Sequence, residues 1–385
     1  MKKELTNFLN KNRQNVKLLL SNLIKIKSYS NQEKDIVKFI LNYLSKKLDK
    51  KNFLIKTLNN NILVVAGNKN LNFKKPKILF DAHLDTVPAE STFGWKYPPF
   101  KGEIKADKVY GRGSCDDKGS VCALIFTLLF LKEISYESTP VAFSFSANEE
   151  DSSGKGIETI LKYIQPSTCI ICEPSNLEVV YGHKGKWSLK ITFFGKSAHS
   201  STPHLGKNAI YESYSLIKRI IFERNKNYQN SELGEPTCEV TYISSKTVSL
   251  NTIPHECSVY IDYRSVLGET EQTIKDFLLS GLKDKEFSLQ PQHKFLAAWI
   301  LDKNHKLIQT ATKVYKNFFN TPPKLTTWLF CTNGSVTMVE HKIPTIGFGP
   351  GNPFLAHKNN EYIKVSNILK TVKFYVGMCL ESENL

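Results

Sequence analysis

The chain lacks any apolar run long enough to cross a bilayer: its longest, Val121 to Leu131, falls far short of the ~20 residues a spanning helix needs. An apolar signal core is missing from the N-terminus, which carries only a lysine-spaced amphipathic pattern. These absences predict a soluble, cytoplasmic protein with no membrane partner. A disulfide framework is excluded too, because eight cysteines at irregular spacing in 385 residues do not make one. Cys169 and Cys172 form a CxxC, but they sit in the apolar run TCIIC with no second pair at zinc-finger spacing, so a core strand is the better reading. The GRG at residues 111–113 lacks GxGxxG spacing, and GFGPG has no P-loop lysine, which favours tight turns over phosphate cradles. No internal repeat or low-complexity linker is visible.

Negative charge is the scarcer sign. Lys and Arg number 52 against 36 Asp and Glu, for a formal charge of +16. Much of the excess lies near the N-terminus (Lys2, Lys3, Lys46, Lys47, Lys50, Lys51) on segments that read as helix faces and turns. No stretch combines basic and aromatic residues in a nucleic-acid reading module, so a solvated surface is the better reading and no nucleic-acid partner is expected. A small anionic substrate fits the sign equally well. The 41% of apolar residues is enough for real cores, and the length makes two domains the prior.

Residues 4–48 carry apolar residues at helical spacing (Phe8, Leu18, Leu19, Leu23, then Val37, Ile40, Leu41, Leu44), predicting two amphipathic helices with Ser30 or Asn31 opening the second. Ile62–Ala66, Ile78–Phe80, Val141–Phe145 and Cys169–Cys172 read as strands, and a helix runs from near Gly119 through Leu131. From about Gly182 the pattern becomes that of an antiparallel sheet with one solvated face. Alternation over Lys186–Phe193, a helix from about Gly206 to Phe222, strands at CEVTYISSK and CSVYIDYRS and a helix near Glu269–Leu282 define a small α+β block. The expected organisation is an α/β domain from residues 1–181 and 293–385, with an inserted domain at 182–292.

Chemistry-bearing residues gather where these strands end. His83 and Asp85 follow Ile78–Phe80 two residues apart, where i and i+2 side chains point the same way. In VYGRGSCDDKGS, the glycines let the backbone turn sharply around Asp116, just ahead of a helix N-terminus. Glu149 and Glu150 follow VAFSF, and Glu173 follows the strand of Cys169. Each motif alone is read as well by chance, by a capped turn or by a surface acidic pair; the carboxyl end of a strand is what raises them. Together His83, Asp116, Glu150, Glu173 and His357 offer two imidazoles and three carboxylates, a set that zinc, cobalt or manganese accepts. Five ligands exceed what one tetrahedral zinc needs. A carboxylate shared by two ions ~3.5–4 Å apart solves the count, and Asp116 in its glycine turn is the natural bridge.

HLD, GRGSCDDKG, NEE, CEPS, GKSAHSSTP and GPG…AHKNNE occur in the order seen in the aminoacylase, carboxypeptidase and succinyl-diaminopimelate desuccinylase family of co-catalytic zinc hydrolases, which the chain resembles over nearly its whole length. The C-terminal run TTWLFCTNGSV…IPTIGFGPGNPFLAHKNNE is most similar to the selenium-metabolism-linked hydrolase branch, and GHKG and CEPS to the acetylornithine deacetylase-like branch. The resemblance implies a catalytic domain with a central mostly parallel sheet flanked by helices, and an inserted lid that also forms a homodimer. It implies two divalent ions, zinc ahead of cobalt or manganese. His83 and Glu173 would hold one, Glu150 and His357 the other, and Asp116 both. Asp85 would orient His83, and Glu149 would be the general base for the metal-bridging water. His199 would stabilise the oxyanion, in dimeric members from the partner's lid. Asn251 and Arg264 would grip the substrate, and Gly349 would make a backbone contact to it.

The implied reaction is hydrolysis of an amide in an N-acyl amino acid or short peptide. A dipeptidase or carboxypeptidase, or a metal-binding relative without turnover, are the alternatives. Two departures stand out: Asp117 occupies a position where Met or Gln is commoner, and Thr332-Asn333-Gly334 replaces the desuccinylases' Thr-Ser-rich loop with its Asp.

Overall fold

A strand buried along its whole length needs cover on both faces, and all six residues of Ile78–His83 are buried. The structure, a computed structural model, describes residues 1–89, 91–223, 228, 232–282 and 284–385. The chain divides into two compact units, one of Met1–Gly182, Leu301–Thr326 and Thr332–Leu385, the other of His183–Ile300 and Thr327–Cys331.

In the first unit the sheet runs in the order Phe53–Leu58, Asn61–Ala66, Val141–Ser146, Ile78–His83, Thr168–Ile171, Thr345–Gly347, Val179–His183. The four inner strands from Val141–Ser146 to Thr345–Gly347 are parallel, and the outer ones pair antiparallel. Helices Lys2–Lys25, Lys118–Glu133 and Val365–Leu380 pack on one another, and Lys155–Leu161 covers Val141–Ser146. This is the expected α/β class, with a central mostly parallel sheet flanked by helices. Its register matters for the site: His83 lies opposite Ser146, and Asp81 opposite Ile171. Three parallel strands therefore end at one level, and the segments leaving them carry His83, then Glu149 and Glu150, then Glu173. A small sheet of Glu103–Lys105, Lys108–Tyr110 and Tyr362–Lys364 pairs Tyr110 with Tyr362, joining the stretch before Asp116 to the stretch after His357.

The second unit is a four-stranded antiparallel sheet in the order Thr237–Lys246, Glu256–Arg264, Trp187–Phe194, Phe287–Pro291. Its core joins inward residues of the strands (Leu189, Ile191, Val259, Ile261) to Leu216 and Ile220 of helix Ala209–Phe222 and Ile274 and Leu278 of helix Glu271–Leu279.

Three local expectations change. The second helix spans Lys34–Lys47 with Glu33 at its N-cap, later than Ser30 or Asn31. Ser30 instead donates to Asp85 Oδ2 at 2.7 Å, and Asn31 takes φ 69°, so neither is free to start a helix. Leu18 leaves the buried stripe of the first helix and is 47% exposed. Strands Phe53–Leu58 and Phe287–Pro291 add one edge to each sheet. Both are partly exposed and of mixed polarity, and what makes them strands is the partner each pairs with.

Candidate metal centre

His83 is the last residue of its strand and is buried. Its Nδ1 donates to the backbone carbonyl of Asp85 at 2.9 Å, which leaves Nε2 pointing at Asp116 Oδ1, 2.8 Å away, and Glu173 Oε1, 3.6 Å away. The other Asp116 oxygen, Oδ2, lies 3.3 Å from His357 Nε2, which is 3.1 Å from Glu150 Oε2. The five side chains thus fall into two groups, His83–Asp116–Glu173 and Asp116–Glu150–His357, each with donor atoms within 4.8 Å of one another. Asp116 belongs to both.

Electrostatics within the cluster are uneven. Burial acts to raise the Asp116 pKa, but hydrogen bonds from His357 and His83 outweigh it and hold that carboxyl well below its usual range. Burial raises Glu173 well above its ordinary value, with Asp116, Glu149 and Asp117 adding to the push. Glu149 is driven up to about 8 by lost solvation and by the charges of Glu150, Asp85 and Asp116, with His83 pulling the other way. The imidazole of His357 rises to about 10 through its hydrogen bonds to Asp116 and Glu150. Crowded carboxylates with two imidazoles, all oxygen and nitrogen donors, form a set that divalent cations of the zinc, cobalt and manganese type accept. The residues present therefore fit two such ions, and a positive charge at each group would reverse the upward push on the carboxyls.

The backbone that presents these ligands is gripped by carboxylates. Asp85 accepts the amides of Glu149 and Glu150 at 3.1 and 3.0 Å, and its nearer oxygen is 3.5 Å from His83 Nδ1. Asp85 thus faces His83 Nδ1 with its carbonyl, the closer contact, and with its carboxylate, which also fixes the Glu149–Glu150 turn. Buried Glu33 accepts the amide of Asn148 at 3.1 Å. Buried Glu361 accepts those of Cys115 and Asp116 at 2.7 and 3.1 Å. Sequence reasoning passed over Glu33 and Glu361. Glu361 closes the LAHKNNE motif and could have been flagged there, whereas nothing in the local sequence marks Glu33.

Other expected residues take varied places. Asp117 is buried, accepts the amide of His83 at 3.3 Å, and belongs to neither donor group. Gly349 is buried with its amide on Ser175 Oγ (2.9 Å) and its carbonyl accepting from Leu177 (3.1 Å), so both backbone groups are engaged inside the fold. A Cβ there would come 2.3 Å from the Glu173 carbonyl oxygen, so glycine is needed for that close approach. Asn333 donates to buried Asp81 at 2.9 Å. In the second unit, exposed His199 and Asn251 meet at 3.1 Å between Nε2 and Nδ2, and Ser201 Oγ sits 2.7 Å from His199 Nδ1. Arg264 donates through Nε to Asp262 Oδ1 at 2.6 Å.

The α/β fold and this cluster define a metal-dependent hydrolase. Residues 79–381 match Peptidase family M20/M25/M40, and the chain belongs to that family. It is 29% identical over 394 residues to the "Probable succinyl-diaminopimelate desuccinylase" of Staphylococcus aureus strain MSSA476, covering 93% of this chain and 95% of that protein. Among solved structures it is similar in fold to the metallo-carboxypeptidase Sso-CP2 of Sulfolobus solfataricus, with a TM-score of 0.79 at 19% identity over 95% of this chain and 98% of that one. It is also similar to YXEP of Bacillus subtilis, described as a dinuclear metal binding peptidase of the M20 family, with a TM-score of 0.69 at 12% identity over 98% and 100% of the two chains.

Proposed function

We propose that this enzyme uses two divalent ions, zinc ahead of cobalt or manganese, to hydrolyse the amide bond of an N-acyl amino acid or short peptide that bears a free carboxylate. The observation that carries this reading is the division of Asp116, one carboxylate oxygen toward each histidine group. His83 and Glu173 would hold one ion, Glu150 and His357 the other, and Asp116 both. Ions bound there would lower the pKa of a water and polarise the scissile carbonyl. Glu149, adjacent to the cluster but outside both donor groups, takes a proton at its carboxylate and returns it to the leaving amine nitrogen. His199, paired with Asn251, donates to the developing oxyanion, and Arg264 offers its guanidinium fork to the substrate carboxylate.

We assign the second unit the part of lid and homodimer surface. Tyr211, Tyr214, Ile221 and Phe222 form an exposed stripe on its helix Ala209–Phe222, and its edge strand Thr237–Lys246 exposes Tyr242 and Ile243. Exposed apolar surface beside an unpaired strand edge is what an interface would cover. A cytoplasmic location fits eight cysteines of which six are buried as small core side chains. Among the described residues no helix is long and apolar enough to cross a membrane. Metal content per chain, measured with a hydrolysis screen of N-acyl amino acids against dipeptides, tests the whole reading. Two ions and cleavage that is lost on chelation are expected; turnover unaffected by chelation would end it. A preference for dipeptides would select the dipeptidase alternative within the same chemistry.

A further inference from the structure

We propose that Arg112 and Glu361 are positioning residues that cross-tie the turn bearing Asp116 to the loop bearing His357, so that the second cation pocket keeps its shape only while both ties hold. The inference rests on the two-ion reading above. Glu361 comes from the His357 loop and reaches into the Asp116 turn: Oε1 accepts the amides of Cys115 and Asp116, and Oε2 accepts that of Gly113 at 3.2 Å. Arg112 comes from the Asp116 side and reaches back. Its Nη2 donates to the carbonyl of His357 at 3.2 Å, and its Nη1 to that of Lys358 at 3.4 Å and to Glu361 Oε2 at 2.8 Å. The guanidinium also lies 5.3 Å from the ring centre of Trp95.

The ties are reciprocal and buried: Arg112 is 4% exposed and Glu361 fully covered. His357 itself is the exposed member of its cluster, with a side chain 53% accessible, and has φ 62° in the left-handed region. That conformation is uncommon for a residue other than glycine, and Arg112 supplies a donor that holds its carbonyl. An ammonium cannot replace the fork, because two planar N–H directions serve Glu361 and the His357 carbonyl together. A residue that holds ligands by their backbone should act on ion affinity, and such partners are commonly worth about 10–100-fold in affinity.

The test titrates the chelator-stripped full-length protein with Zn²⁺ by calorimetry and with Co²⁺ by its visible absorption. Wild type is compared with Arg112→Lys, Glu361→Gln and, to identify the second pocket, His357→Ala. Wild type should bind two ions. Arg112→Lys should weaken by about tenfold or more the ion that His357→Ala also weakens, change its Co²⁺ spectrum, and leave the other ion within about threefold. Glu361→Gln, acting on the shared Asp116, should weaken both ions. Circular dichroism melting of the stripped proteins identifies variants that fold, and either variant suffices. If wild type binds two ions and a folded variant binds both as wild type does, the cross-tie is wrong and the two-ion reading stands. A wild-type stoichiometry below two removes both.

Discussion

Glu149 and Glu150 are adjacent in sequence and differ in surroundings. Glu150 contacts His357, while Glu149 stands outside both donor groups with a pKa raised to about 8. Replacing Glu149 with Gln should therefore lower kcat by about 10²–10⁴-fold and leave bound metal per chain unchanged. Turnover within tenfold of wild type would remove it as the base. In the proposed reading Arg264 would contribute differently: its planar fork is held on one side by Asp262, and the other side would meet the substrate carboxylate. Arg264→Lys should raise KM for carboxylate-bearing substrates by about tenfold, roughly 1.4 kcal/mol, with kcat little altered. An equal loss with a substrate whose carboxylate is amidated would argue against that contact.

At the scale of elements, the helix Lys118–Glu133 does more than fill the core. Its first residue, Lys118, is buried and donates to the carbonyls of Leu23 and Ile26 at 3.1 and 2.7 Å, closing the C-terminal end of helix Lys2–Lys25. Burial pulls its pKa down to about 7, against the charges of Glu361 and Asp85. Between about 7 and its ordinary value of 10.5, the unfolded chain holds a proton on Lys118 that the folded chain does not. Stability should therefore rise with pH across that window. Urea unfolding of chelator-stripped protein at pH 7 and pH 9 should show this rise in wild type and a smaller one in Lys118→Met; equal slopes would contradict it.

For the whole molecule, cations and a second copy are the two expected sources of added stability and activity. Carboxylates that repel one another in the cluster should make the protein strongly responsive to Zn²⁺. Each site saturated at a hundredfold over its Kd should add about 2.7 kcal/mol to unfolding, seen as a higher denaturation midpoint that a chelator reverses. No shift would mean the cluster does not bind the ion. The exposed stripe on helix Ala209–Phe222 leads to a separate expectation. Tyr214→Glu should convert a dimer to monomers in sedimentation and, if His199 acts on the partner copy, cut activity sharply while metal content holds. A fully active monomer would rule out that arrangement.

Much of the site can be read along the chain because its parts are locally marked. Apolar runs that end in His83, Glu149–Glu150 and Glu173 identify strand exits, and glycines around Asp116 identify a turn, since burial, periodicity and backbone freedom act over a few residues. The order of those motifs was enough to recognise the family. Other features depend on neighbours brought together only by folding. Edge strands Phe53–Leu58 and Phe287–Pro291 are set by the strands they pair with, and Ser30 leaves its capping position because Asp85 is within reach. Which oxygen of Asp116 faces which histidine, and how Arg112 and Glu361 lock two distant loops, are decided in the tertiary structure. The physical reason is range: sequence pattern expresses what a residue prefers beside its chain neighbours, whereas hydrogen bonds and ion pairs between remote segments depend on the register in which the sheet and its helices pack.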